Sequence, residues 1–263
     1  MKLPRHNRLH QIYLLKRNFK NIFKGACRYY TKYPLKSLPL FYKRMAFSFW
    51  RGSINKPFKT PEGLILKDDM ELLVHSQEFI EQNLYYKPFI DEFMEIGDNR
   101  VIDVGSNVGL FTQWLGTFNS KGIFYNIEIW DSNIKRAIEI NNKKLSIMWY
   151  NKAAYNKTDE KIKFNIGDSV TTVNTTGIIE QKEILTLAID SYWRRTNIFC
   201  MKIDTDGSNI KVLEGAKETL KRTKWLLIEI EEGVMGWLSI YAPYMKLMSK
   251  TSPDDLIYKN TTV

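Results

Sequence analysis

The stretch Val101-Ile-Asp-Val-Gly-Ser-Asn-Val-Gly-Leu-Phe-Thr112 decides how the rest of this chain is read. Val101, Ile102 and Val104 are the β-branched residues expected of a buried parallel strand. Gly105 and Gly109 remove side chains where the backbone must turn tightly and where a ligand would come close. A helix starting near Val108 would aim unsatisfied N–H groups at that ligand. About twenty residues on, Ile123-Phe-Tyr-Asn-Ile-Glu128 reads as a second strand ending in a carboxylate, the position from which an acid reaches ribose hydroxyls. The pattern predicts an α/β domain that holds a nucleoside.

The turn itself narrows the choice. A dinucleotide fold would read G-x-G-x-x-G, its middle glycine yielding to a pyrophosphate. Here the pattern is Asp103-x-Gly105-x-Asn107-x-Gly109, with an acid on the strand and Asn107 in the middle place. An acid repels a pyrophosphate in a partly desolvated site. It suits a cofactor with a positive charge and an amino group, as S-adenosylmethionine has. An ordinary strand–turn–helix joint without a ligand is the competing reading, and Glu128 at its distance counts against it.

Charge divides the chain. Residues 1–60 hold fifteen Lys and Arg and no Asp or Glu, although the net charge of the whole is +10. The rest carries 24 basic against 29 acidic residues, so a mildly acidic domain bears a strongly basic arm. We set the boundaries at 1–57 for a basic, aromatic-rich helical extension and 58–263 for the domain. Within the arm, Leu9, Ile12, Leu15, Phe19, Ile22, Phe23, Ala26 and Tyr30 recur at helical spacing, with Lys16, Arg17, Lys20, Lys24 and Arg28 between them. That is an amphipathic basic helix. Pro34 and Pro39 break it, and Phe41, Tyr42, Phe47, Phe49 and Trp50 follow. Residues 9–30 suit peripheral association with an anionic membrane surface. They equally suit packing on the core domain, and nucleic-acid binding through phosphates ranks behind both. The charge run alone does not choose.

The 44% hydrophobic content excludes a wholly disordered chain, and no apolar run approaches the roughly 18–20 residues of a membrane span. Cys27 and Cys200 lie far apart, so neither a disulfide framework nor a zinc spacing is available and a cytoplasmic location is expected. His6, His10 and His75 all precede the glycine turn, which argues against a histidine triad or metal centre in the core.

Along the chain, 58–66 reads as a hairpin around Pro61-Glu62-Gly63. Ser76 caps a helix to about Tyr85, and Pro88 starts another that ends before Gly97. Strands follow near 100–104, 122–128 and 146–150, with helices near 108–117 and 131–142. The segment 155–190 breaks the rhythm, with a strand at 161–165 and a polar loop at 169–176. A strand at 198–204, a helix at 209–220 and a strand at 225–231 complete a mostly parallel sheet with helices on both faces. Ligands in such sheets sit beyond the carboxyl ends of the strands, where Asp103, Glu128, Asp204 and Glu229 all fall.

Taken in order, the glycine turn, Glu128, Leu185-Thr-Leu-Ala-Ile-Asp190, Lys202-Ile-Asp-Thr-Asp-Gly207 and Val212-Leu-Glu-Gly-Ala-Lys-Glu-Thr-Leu220 resemble the FkbM-type methyltransferases over roughly residues 97–231. The resemblance implies a class I methyltransferase (Rossmann-like) fold and transfer of a methyl group from S-adenosyl-L-methionine to oxygen, commonly on a sugar or polyketide. It implies that Asp103, Gly105, Ser106, Asn107 and Gly109 hold the methionine end of the cofactor. Glu128 would take the ribose, and the turn from Asn151 to Ala153 would lie beside the adenine. Three departures stand out. Asp206 and Asn209 replace the family's two glutamates, Ile129-Trp130 replaces a proline after the ribose acid, and only 32 residues follow Glu231. That tail leaves room for one strand at 254–258 in place of the fold's closing helix and hairpin.

Methyl transfer to a hydroxyl needs alignment, a dry pocket and a destination for the proton. Asp204 is the expected base or polar anchor and Asp206 the second candidate. Lys202 either orients them or merely pairs with an acid. The acceptor is then a small molecule or glycan. Two other readings stay open. One is RNA methylation gripped by the arm, although Asp204-Thr-Asp-Gly207 lacks the prolines of an exocyclic-amine site and Lys202 and Lys211 are weak candidates for a 2′-hydroxyl site. The other is a binding protein that keeps the fold without turnover.

Overall fold

A computed structural model describes residues 57–60, 64–66, 87–95, 97, 99–140, 145–166, 171–172, 180–250 and 255–263. The basic arm with Cys27, the three histidines, the helix expected after Ser76 and most of the 169–176 loop lie outside the described residues. The chain divides into two compact units, residues 1–90 with 139–143, and residues 91–138 with 144–263. In the first, β1 (Phe58–Lys59) and β2 (Ile65–Leu66) pair antiparallel. The Thr60 N–H donates to Leu64 O at 2.8 Å and the Leu64 N–H to Thr60 Oγ1 at 3.2 Å, as a hairpin requires.

The further elements follow in chain order. They are α1 (Lys87–Glu95), β3 (Arg100–Val104), α2 (Leu110–Gly116), β4 (Ile123–Ile127), α3 (Asp131–Ile140), β5 (Ser146–Tyr150), β6 (Ala153–Ala154), β7 (Lys161–Ile166), β8 (Thr171–Thr172) and β9 (Glu180–Leu187). After these come α4 (Asp190–Trp193), β10 (Ile198–Ile203), α5 (Asn209–Glu214), α6 (Lys217–Leu220), β11 (Thr223–Glu229), α7 (Val234–Tyr241), β12 (Met245–Lys250) and β13 (Asp255–Asn260).

Seven strands form one sheet in the order β12-β13-β11-β10-β3-β4-β5. β11, β10, β3, β4 and β5 run parallel, and β13 is antiparallel to both its neighbours. From β3 the chain builds outward through β4 and β5, then returns to lay β10 on the other side of β3. The strand order therefore reverses between β3 and β10, and an open α/β sheet has its crevice at such a reversal. Alternation sets the faces. Ile102, Val104, Met201, Ile203, Leu226 and Ile228 join one buried cluster with Val212, Leu213, Val234, Trp237 and Leu238. Asp103, in step with Val101, turns to the other face, which α2 covers.

Four differences from the sequence reading have physical causes. The closing helix and hairpin are complete in the short tail, because α7 is eight residues long and a tight turn, Met245 N–H to Ala242 O at 2.9 Å, leads straight into β12. The helix expected over 209–220 is two helices. At Gly215 a Cβ would stand 2.1 Å from Tyr155 O, and Asp190 accepts the N–H groups of Glu218 and Thr219 to start α6 anew. Thr171 and Thr172, expected in a loop, pair as β8 with the end of β7. Between β5 and β10 the crossover is made mainly by a second sheet, β6-β9-β7-β8, followed by the short α4.

Candidate active site

β3 ends in the glycine turn, and the turn is bound to its neighbours through its backbone. The Gly105 and Ser106 N–H groups donate to Ile127 O at 3.0 and 3.2 Å, and the Gly109 N–H to Ser106 O at 2.7 Å. Both glycines and Asn107 have positive φ, of 73°, 71° and 50°. A Cβ on Gly105 would lie 1.8 Å from Asp204 O, and one on Gly109 would lie 2.8 Å from Trp149 Cη2. The glycines are thus required by the close approach of protein to protein, whereas the sequence suggested room for a ligand. The helix begins at Leu110, two residues later than expected, and several turn N–H groups already have partners inside the protein.

Asp103 is fully buried. Its Oδ2 lies 3.2 Å from Thr112 Oγ1, which is also 2.8 Å from Asn126 Oδ1 on the neighbouring strand. Asp103 Oδ1 has no hydrogen-bond partner. Burial pushes the Asp103 carboxyl up to about 6, with the Lys202 ammonium and the Thr112 hydroxyl working against that and the charges of Asp204 and Glu128 adding to it.

Glu128 follows β4 and is nearly as buried. Its Oε2 accepts the Asn107 N–H at 2.8 Å, and its Oε1 accepts the Trp130 N–H at 2.9 Å and Asn133 Nδ2 at 3.4 Å. Burial raises its pKa while these donors lower it. A carboxylate offers about four acceptor positions; Oε2 takes one of these hydrogen bonds and Oε1 two, and the Ile129 N–H also acts on the carboxylate to lower its pKa. Asn151 Nδ2 donates to the carbonyls of Glu128 and Ile129, at 3.0 and 2.9 Å, and so holds the loop behind the acid. Ala153 is buried in β6 opposite Thr186, one step beyond the turn in which it was expected.

Across the crevice, β10 delivers Lys202 and then Asp204. Lys202 stands level with Asp103 in the sheet register, and its Nζ donates to Asp204 Oδ2 at 2.7 Å. Asp206 sits at φ 39°. Its pKa is raised by desolvation, then by the charges of Asp204 and Glu231, with Lys202 opposing. Glu229, at the end of β11, is pushed up to about 7 by burial first and then by Asp204, Asp206, Asp255 and Glu231. Asn209 is fully buried and knits this edge together. Its Oδ1 accepts the Thr205 N–H and hydroxyl, its Nδ2 donates to Glu229 O, and its N–H donates to Glu231. Glu231 also accepts the Gly207 N–H, a role the sequence gave no signal for.

The structure therefore brings Asp103, Gly105, Ser106, Asn107, Gly109, Glu128, Lys202 and Asp204 to one end of the sheet, around the reversal of strand order. Among the described residues no group of His, Cys, Asp and Glu is arranged to hold a metal ion, and no helix is long and apolar enough to cross a membrane.

The strand order, with its closing antiparallel hairpin, is that of the class I methyltransferase fold. No protein-family model matches the chain, and no curated protein matches it in sequence. Solved structures with a similar course include TrmK of M. capricolum in complex with S-adenosyl-homocysteine, at 12% identity and a TM-score of 0.38 over 65% of this chain and 67% of that one. An rRNA methylase from Streptococcus thermophilus is 13% identical with a TM-score of 0.39 over 65% and 93% of the two chains. The human methyltransferase 10 domain containing protein is 13% identical with a TM-score of 0.40 over 66% and 80%.

Proposed function

We propose that this chain is an S-adenosylmethionine-dependent methyltransferase of FkbM type, with residues 58–263 as its catalytic domain, acting on a hydroxyl of a sugar or other small acceptor. The observation that carries the reading is the pairing of Asp103 and Glu128. They are two buried carboxylates at the ends of adjacent parallel strands beside the glycine turn, one with an oxygen that nothing in the protein meets. An unsatisfied buried acceptor is costly, and a cationic ligand that donates hydrogen bonds relieves it.

The donor set fits the cofactor. Asp103 would meet its ammonium group, and Glu128 Oε2 would accept a ribose hydroxyl. When bound, the cofactor supplies a methyl group activated by its sulfonium. The turn from Gly105 to Gly109 fixes Glu128 through the Asn107 N–H, and Asn151 with Ala153 would close the site on the adenine side. Asp204, held by Lys202, is the proposed base or anchor for the acceptor hydroxyl, with Asp206 second.

A phosphate-rich acceptor is less well supported. The same sheet edge carries Asp204, Asp206, Glu229, Glu231 and Asp255 near Lys202, so it repels polyanions. An RNA reading then rests on the basic arm alone.

Titration calorimetry with S-adenosylmethionine tests the proposal without a known acceptor. Wild type should bind, and the Asp103→Ala, Glu128→Ala double variant should not. Equal binding by both proteins, or none by wild type, overturns the cofactor assignment. Binding without methyl release to any hydroxyl acceptor would favour a protein that keeps the fold for binding only.

A further inference from the structure

The two residues that stand where the family carries a proline, Ile129 and Trp130, are not absorbed by the proposed chemistry. Trp130 does three things at once. Its N–H donates to Glu128 Oε1 at 2.9 Å, and its carbonyl accepts the Asn133 and Ile134 N–H groups, each at 3.1 Å, to open α3. Its indole meets the second sheet. The Phe164 ring lies edge-on to it at 5.3 Å between centroids and 85° between planes, and Lys182 Nζ lies 4.8 Å from its ring centre. Phe164 on β7 and Lys182 on β9 are direct cross-strand partners, so they share one face of that sheet and form a ready-made slot for an aromatic ring. An edge-to-face aromatic contact and a cation over an indole are both attractive and both directional.

We propose that Phe164 and Lys182 are positioning residues for ribose recognition. By clamping the Trp130 indole, the inserted sheet fixes the Trp130 N–H that orients Glu128. The sheet that interrupts the α/β rhythm thereby takes part in cofactor selection. A carboxylate whose plane is fixed by backbone donors presents Oε2 in one direction, which is what discrimination of a hydroxyl requires. The inference rests on the assignment of Glu128 to the ribose.

The test uses the full chain, with S-adenosylhomocysteine and its 2′,3′-dideoxyribose analogue as probes in calorimetry. The variants are Phe164→Leu, which keeps apolar volume but removes the ring edge, and Lys182→Met, which keeps the stem but removes the charge. Wild type should prefer the natural ribose by roughly tenfold or more. Each variant should lose about three- to tenfold in affinity for S-adenosylhomocysteine and stay within about twofold of wild type for the dideoxy analogue. Equal weakening of both probes indicates a merely structural role and overturns the proposal. A wild type that binds both probes alike overturns the ribose assignment, and the inference with it; a selective wild type with equally selective variants overturns the inference alone. Amide exchange in the unliganded protein gives a second reading. The Trp130 N–H should exchange faster in both variants while the β3 amides do not change, and unchanged exchange at Trp130 counts against the clamp.

Discussion

At the ends of β3 and β4, Asp103 and Glu128 are almost wholly buried, and Glu128 is held by the N–H groups of Asn107 and Trp130. At the ends of β10 and β11, Asp206 is exposed and Glu229 only partly buried, and their pKa values are raised by desolvation first and then by the charges of the acids around them. The first region has its geometry fixed before any ligand arrives, at the expense of one unmet carboxylate oxygen. The second keeps its carboxylates within reach of solvent. Under the proposed function, rigidity suits the region that would receive the cofactor, and a carboxylate with a raised pKa suits the region that would accept a proton.

The two regions meet at Gly105, so Gly105→Ala is the sharpest way to break the comparison. A Cβ there overlaps the Asp204 carbonyl and needs a left-handed backbone besides. We expect a loss of about 4 kcal/mol or more in urea denaturation. A loss below about 1 kcal/mol would mean that the strand ends move apart easily.

Next in size is Asp103→Asn. The folded carboxyl sits near 6 against an ordinary 3.8, so the folded protein holds this proton more tightly than the unfolded chain does. Stability therefore falls as pH rises through that window, and the neutral-pH protein bears the full cost. Asn removes the charge, and unliganded stability at pH 7 should rise by about 2–3 kcal/mol while cofactor binding disappears. The gain should shrink at pH 5. A variant that is less stable than wild type at pH 7 would show that Asp103 is a structural acid, not one kept for a ligand.

The smallest effect sharpens the second region. Asp206→Asn should lower the Glu229 pKa from about 7 without restoring it to the ordinary range, because burial is the larger cause. Carboxyl-carbon NMR reads this directly. An unmoved Glu229 would mean that the two acids do not share a field.

Most of the parallel sheet was legible beforehand. Runs such as Val101-Ile102 before a glycine, or Ile198 to Ile203 before Asp204, are local signals, since a buried strand must be apolar and must stop at a turn residue. The acids at strand ends were legible for the same reason. Less visible was the role of Asn209, whose amide bonds both adjoining strand ends through Thr205 and Glu229. Trp130 gave no local sign of its role, because its partners Phe164 and Lys182 stand on strands with no sequence pattern that points back to it.

By itself the sequence determined the class of fold, the position of the glycine turn and which carboxylates crown the strands, because each is written within a few consecutive residues. Only the tertiary structure decided why Gly105 must be glycine, where Gly215 divides a helix, how the short tail completes the sheet and which ring the inserted strands grip. Those outcomes depend on atoms brought together from distant parts of the chain, and such contacts leave no period or motif along it.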